Sequence, residues 1–178
     1  MADSDPQGGP TVAAHRRLRA DNRVRPGWAI YTRVMPGPAL SDAIQDYLRA
    51  VFKLAERGDG NVTTTTLARE TGVSAASASA MVKKLAVLGL LEHEPYRGVR
   101  LTDAGRQVAV EVTRHHRLLE LYLARALGIA LDEVHAEADR LEHLLSERLE
   151  ARIDEALGFP THDPHGDPIP DAELRWPE

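Results

Sequence analysis

The stretch Leu67-Ala-Arg-Glu-Thr-Gly-Val-Ser74 decides the fold. Thr63 to Thr66 lead into a short helix, Leu67 to Thr71. Gly72 makes the turn, where the absence of a β-carbon is an advantage. Val73 is expected to pack beneath it, and Ser74 stands where an N-cap hydroxyl serves the next helix. That helix is predicted from Ala75 to Leu88, with Ala78, Met81, Val82 and Leu85 facing inward. Helix, glycine turn and capped second helix make a helix-turn-helix. Small residues at Ala75, Ala76, Ser77, Ser79 and Ala80 leave the start of the second helix slim enough for a major groove. Ser74, Ala76, Ser77, Ser79 and Ala80 are therefore candidate DNA-binding residues, and Lys83 and Lys84 are placed to reach phosphates.

Working outward, Leu90 to Glu94 and Val99 to Thr102 flank a turn at Pro95-Tyr-Arg-Gly98. This predicts a two-stranded wing with Arg97, a further DNA-binding candidate, at its tip. Upstream, Ser41 is expected to cap a helix whose buried side is Ile44, Tyr47, Leu48, Val51, Phe52 and Leu54-Ala55. Residues 41–102 thus read as a winged helix-turn-helix. The same fold also serves protein–protein contacts, which is the plainer alternative.

Residues 103–160 read as an all-α domain. Thr102-Asp-Ala-Gly105 starts a helix that runs to Leu127-Gly128, with His116 and Glu120 spaced i, i+4 beside Leu119, Leu123 and Leu127. Leu131-Asp132 open a second helix, and Ser146 to Leu157 form a third, closed by Gly158. The stretch Val134 to Leu145 holds no breaker and reads as helix interior. Val134, Ala138, Leu141 and Leu145 form an apolar stripe; His135, Asp139, Glu142 and His143 form a second stripe beside it. Imidazole nitrogens mixed with carboxylate oxygens suit a divalent metal. The bland alternative is solvated charge beside a core face. Residues 161–178 read as a C-terminal loop and tail; His162, Asp163 and His165 lie in a Pro-rich loop taken as structural. Long apolar stripes in a bundle of this size favour a homodimer.

Composition sets the bounds. Hydrophobic content of 43% and charged content of 28% fit a globular chain, and the absence of Cys excludes disulfides and thiolate metal sites. No run of about 18 apolar residues is present, so no membrane span is expected, and a cytoplasmic location follows by default. The net charge of −5 taken alone argues against a nucleic acid partner, but its distribution does not. Residues 61–102 carry five basic and three acidic residues, whereas residues 103–178 carry 8 Arg against 17 Asp and Glu, a net of −9. One part of such a chain can bind a polyanion. Residues 1–40 are rich in Pro, Gly and Arg and lack periodicity, so a disordered tail is expected.

The winged helix followed by His116-Arg-Leu-Leu-Glu120, by Asp132 to His143 and by His165-Gly-Asp-Pro-Ile-Pro170 resembles the diphtheria toxin repressor family, and within it the manganese transport regulators. The resemblance covers residues 41 to about 171. It implies a metal-activated, dimeric transcriptional regulator, most simply a repressor, of metal-transport genes on a double-stranded DNA operator. Asp46, Asp139, Glu142 and His143 match the primary metal site, and His116, Glu120 and His135 the ancillary one. Arg49 stands where some manganese regulators carry a ligating Glu, and a guanidinium cannot ligate. The SH3-like third domain of the iron-sensing members is not expected here. Those members are expected to carry Met and Cys where this chain has Asp46 and Asp139. The harder oxygen donors favour Mn(II), with Fe(II) the alternative and Co(II), Zn(II) or Cd(II) able to bind in vitro. With no metal, clustered carboxylates are expected to repel and leave the two domains loosely joined.

Two other classes fit less well. A metallohydrolase or ferritin-like enzyme needs His-Glu-x-x-His or Glu-x-x-His, and neither occurs; no enzymatic activity is expected. A winged-helix repressor answering to an organic small molecule would need no metal.

Overall fold

A computed structural model describes residues 40–58, 61–94 and 98–178 of the chain. The expected N-terminal tail lies almost wholly outside the described residues, and so does Arg97. The architecture is mainly α. Helices α1 (Asp42–Arg57), α2 (Thr64–Glu70) and α3 (Ala75–Val87) lead into strands β1 (Leu91–Glu94) and β2 (Gly98–Leu101). There follow α4 (Asp103–Leu127), α5 (Val134–Leu141), a 3-10 turn over Glu142–Leu144, and α6 (Glu147–Ala156). Among the described residues, no helix is long and apolar enough to cross a membrane.

The first unit forms as its side chains dictate. Ile44, Tyr47, Leu48, Val51 and Phe52 give α1 one buried stripe at helical spacing. Ser41 takes the N-cap position, but its hydroxyl makes no capping bond. Asp42 in the first turn supplies the favourable negative charge there instead. Helix α2 starts at Thr64, earlier than its apolar residues suggest, because Thr63 Oγ1 accepts from Thr66 N at 3.1 Å. That cap offsets the modest helix propensity of three consecutive threonines. Val73 does not pack beneath the turn as expected; it is 37% exposed. Gly72 (φ 67°) carries the chain outward, and the Val73 backbone ties back, its N–H donating to Ala68 O. Leu67 and Ala68 fill the space below.

β1 and β2 pair antiparallel, Leu91 opposite Leu101 and His93 opposite Val99. Val62 adds a bridge to Val99, so a third short segment flanks the wing. Gly98 (φ 96°) is required there, since a β-carbon would stand 2.6 Å from Val62 O.

Thr102 joins wing to α4. Its Oγ1 accepts from Gly105 N and donates to Gly89 O at 2.8 Å. Gly105 lies directly against the Leu90 backbone, where a β-carbon would collide with the carbonyl oxygen. A neighbour fixed in backbone cannot give way. Gly105→Ala is therefore expected to destabilise the fold by roughly 1–3 kcal/mol or more, the range of core overpacking. Urea denaturation checks this through a lower midpoint at unchanged slope.

The 25 residues of α4 span about 37 Å at ~1.5 Å per residue. Val108, Ala109, Val110 and Val112 belong to the core formed with α1, α2, α3 and the wing. Leu118, Leu119, Leu121 and Leu123 belong to a second core with Val134, Ala138, Ile153 and Ile169. The first core therefore continues past residue 102.

Three expectations for the second half need correction. The helix expected to open at Leu131 begins at Val134. The continuous helix expected through Leu145 ends at Leu141 and tightens into the 3-10 turn. Leu145 is extended (ψ 113°), which releases Ser146 to cap α6. Leu141 is 39% exposed, whereas Glu142 is 1% exposed. The buried line runs Val134, Ala138, Glu142 in steps of four, so a carboxylate occupies the place the apolar stripe assigned to leucine.

The C-terminal segment is packed. The buried Arg114 donates to Glu150 Oε1, Asp154 Oδ2 and Pro170 O. Trp176 stacks on Phe52 of α1 at 5.8 Å, and Arg117 lies over the Trp176 ring.

Candidate metal centre

The seven residues of the two carboxylate–imidazole sets come together where α1, α4, α5 and the 3-10 turn meet. The i, i+4 spacing of His116 and Glu120 puts both on the face of α4 that covers α5, and both are buried. His135 of α5 arrives from above, more exposed. His116 Nε2 lies 2.9 Å from His135 Nδ1 and 3.1 Å from Glu120 Oε1, and His135 Nδ1 lies 2.9 Å from the same oxygen. Each imidazole nitrogen has one proton or one lone pair, so these three contacts cannot all be good hydrogen bonds. Two nitrogens and an oxygen converging this closely fit a cation better than they fit one another. His165, read from sequence as part of a structural loop, places Nε2 3.9 Å from Glu120 Oε1. Asp163 holds that loop, its Oδ1 accepting from the His165 and Asp167 amides.

The second cluster crosses the domain boundary. Asp46 of α1 sets Oδ1 2.8 Å from His143 Nε2, which is 3.5 Å from Glu142 Oε1. Glu142 Oε1 is the buried side-chain atom that lacks a hydrogen-bond partner among the described residues. An unpartnered buried carboxylate oxygen is costly. Its position beside an imidazole and a second carboxylate is that of an unsatisfied metal donor, so the residues fit a divalent ion.

Asp139 stands apart from Asp46. Its Oδ1 accepts from Arg49 Nη2 at 2.7 Å and lies 3.3 Å from His116 Nδ1. Arg49 Nη1 donates to Glu142 Oε2 at 2.8 Å, and His116 Nδ1 meets that oxygen at 2.6 Å. The expectation of mutually repelling carboxylates is thus overturned. The Arg49 guanidinium already joins α1 to the second half, and its charge partly offsets those of Asp139 and Glu142. Burial raises the Asp139 pKa, but Arg49 outweighs it and holds the group low. Burial likewise opposes a proton on His116, yet Glu120 and Glu142 more than compensate and raise its pKa. Glu120, pushed up by burial, is pulled down to about 2 by His116 and His135.

At the other end of the first unit, Ser74 Oγ accepts from Ser77 N at 3.1 Å and caps α3. Ser74, Ala76, Ser77, Ser79, Ala80, Lys83 and Lys84 are all exposed. The Ser74 and Ser77 hydroxyls lie 2.9 Å apart, so both serve the cap.

Residues 39–99 match the model of the iron dependent repressor N-terminal DNA binding domain, and residues 102–171 that of the iron dependent repressor metal binding and dimerisation domain. The chain belongs to the iron-dependent repressor family. Among relatives in this family, the iron-dependent repressor IdeR of Mycobacterium tuberculosis is 38% identical over 131 residues, 74% of this chain and 56% of IdeR. A solved manganese-dependent transcriptional repressor in complex with manganese is 50% identical with a TM-score of 0.71, covering 76% of this chain and 62% of that one. The manganese regulator SloR is 36% identical with a TM-score of 0.68, over 76% of this chain and 62% of its own. The chain spans a little over half the length of the curated iron-dependent repressors it matches.

Proposed function

We propose that this iron-dependent repressor family member is a metal-dependent transcriptional repressor of metal-transport genes that binds its operator as a homodimer and responds to Mn(II). The observation that carries this is the unpartnered Glu142 Oε1, with Asp46 of the DNA-binding half and His143 of the other half beside it. Asp46, Asp139, Glu142 and His143 would hold the primary ion; His116, Glu120 and His135, with His165 close by, would hold an ancillary one. A bound divalent ion supplies positive charge shared by donors from both halves. Glu142 touches both clusters and so couples them, while Arg49 anchors Asp139 and orients Glu142 through its second oxygen. Oxygen donors at positions 46 and 139 and no sulfur favour Mn(II), and two solved relatives are named for manganese. The competing reading, an Fe(II)-responsive regulator, is favoured by the names of the curated relatives.

Held in one arrangement, the two α3 helices of a dimer match two half-sites. The test selects DNA from a random library with Mn(II)-loaded protein, then measures binding in chelator and after Mn(II) is restored. Chelator should abolish binding and Mn(II) should recover it; equal binding in both conditions would sink the proposal.

On the DNA side, Ala76 and Ala80 offer apolar contacts of the kind made to thymine methyls, and Lys83, Lys84 and Arg97 are assigned to phosphates. Lys84→Ala should weaken every site alike and reduce the log–log salt slope by about 0.9 per lost phosphate contact. Anisotropy titrations at several salt concentrations read both; a changed order of preferred operators would contradict the assignment.

A further inference from the structure

We infer that Glu111, His115 and Glu147, with Glu150 beside His115, form a further divalent-cation site between α4 and α6, separate from the centre described above. Glu111 and His115 are spaced i, i+4 on α4, so their side chains share a face. Glu147 opens α6, whose first turn is fixed by Ser146 accepting from Leu149 N. One donor atom from each of the three residues lies within 4.8 Å of the other two. His115 is 8% exposed, and its Nε2 lies 3.2 Å from Glu150 Oε2. His115 and His116 are sequence neighbours but point about 100° apart around the helix. His116 faces α5 and the 3-10 turn, whereas His115 faces α6, so the two donor sets do not overlap.

The charges around His115 do not balance. Three carboxylates converge on one imidazole. The adjacent guanidinium of Arg114 is spent on Glu150 Oε1, Asp154 Oδ2 and the Pro170 carbonyl. Glu111 faces the carboxylates of Glu147 and Glu150 as well as His115. The cluster thus holds more negative charge than its own residues neutralise. A proton shared between Glu111 and Glu147, or a cation held by these donors, would offset that charge. One nitrogen with several carboxylate oxygens is a donor set for Mn(II) or Zn(II). An ion there would clamp the first turn of α6, which follows the 3-10 turn carrying Glu142 and His143 by only two residues. The site therefore touches the primary centre through the chain itself, although its existence does not depend on that centre being a sensor.

The test counts ions per chain. Full-length protein is stripped with chelator, equilibrated with Mn(II) or separately with Zn(II), and analysed by elemental mass spectrometry. Glu111→Gln with Glu147→Gln should carry one ion fewer than the wild type. His116→Ala with Glu142→Gln, which dismantles the described centre, should retain one ion, and adding the two Gln changes should remove it. Glu147→Gln alone, at the half-buried edge of the cluster, is the fallback if a multiple variant fails to fold; Co(II) absorption bands should then lose one component. Equal ion counts in wild type and the Glu111/Glu147 variant, or no ion left once the described centre is dismantled, would overturn the site. Either outcome would leave a shared-proton carboxyl pair in its place.

Discussion

Glu142→Gln is expected to remove Mn(II)-dependent operator binding while leaving a folded dimer. Gln keeps the volume of Glu and can still meet Arg49 and His116, so the packing of the 3-10 turn against α4 survives. What disappears is the anionic oxygen, Oε1, that has no hydrogen-bond partner among the described residues. A metal-to-DNA coupling is typically worth on the order of 1–3 kcal/mol, roughly 5–150-fold in affinity, and the variant should lose all of it. His143→Ala should do the same by removing the group that faces Asp46. Circular dichroism and native mass establish folding and dimerisation; anisotropy with a selected operator reads binding. Normal Mn(II) activation in either variant would show that the primary site lies elsewhere.

Asp139→Cys combined with Asp46→Met should shift activation from Mn(II) towards Fe(II) and Co(II). Thiolate and thioether donors are softer than carboxylates, and softer donors favour the later metals. The change leaves Glu142, His143 and the helices in place. It also removes the oxygen that Arg49 grips at 2.7 Å, while the bond from the guanidinium to Glu142 remains. Operator affinity titrated with each metal under anaerobic conditions gives the ranking. An unchanged ranking would mean that donor softness at positions 46 and 139 does not set the response.

What could be read from sequence was what is local. Gly72 and Ser74 announce the turn and the cap within three residues, and the structure places both as expected. His116 and Glu120 could be paired from helical spacing because both sit on one regular helix; His135, on another helix, is joined to them by the family resemblance. The break after Leu141 could not be read, since no Gly or Pro marks it; the capping of α6 by Ser146 imposes it from downstream. Arg49 was legible as a non-ligand, but its bonds to Asp139 and Glu142, some 90 residues away, belong to tertiary packing. The same holds for His165 beside Glu120 and for Trp176 on Phe52, where loops whose sequence has no period are positioned by what they land on.

Helix α4 contributes its first half to one core and its second half to the other. Melting the helix as a whole therefore strips apolar partners from both cores. The two halves are expected to fold as one cooperative unit, and cutting between them would leave each with an open hydrophobic face. For a protein whose donors come from both halves, this means that Asp46 and Glu142 are rarely presented by a partly folded molecule. Damage to the wing or to α6 is then felt as lower abundance of the whole chain, not as a repressor with one working end.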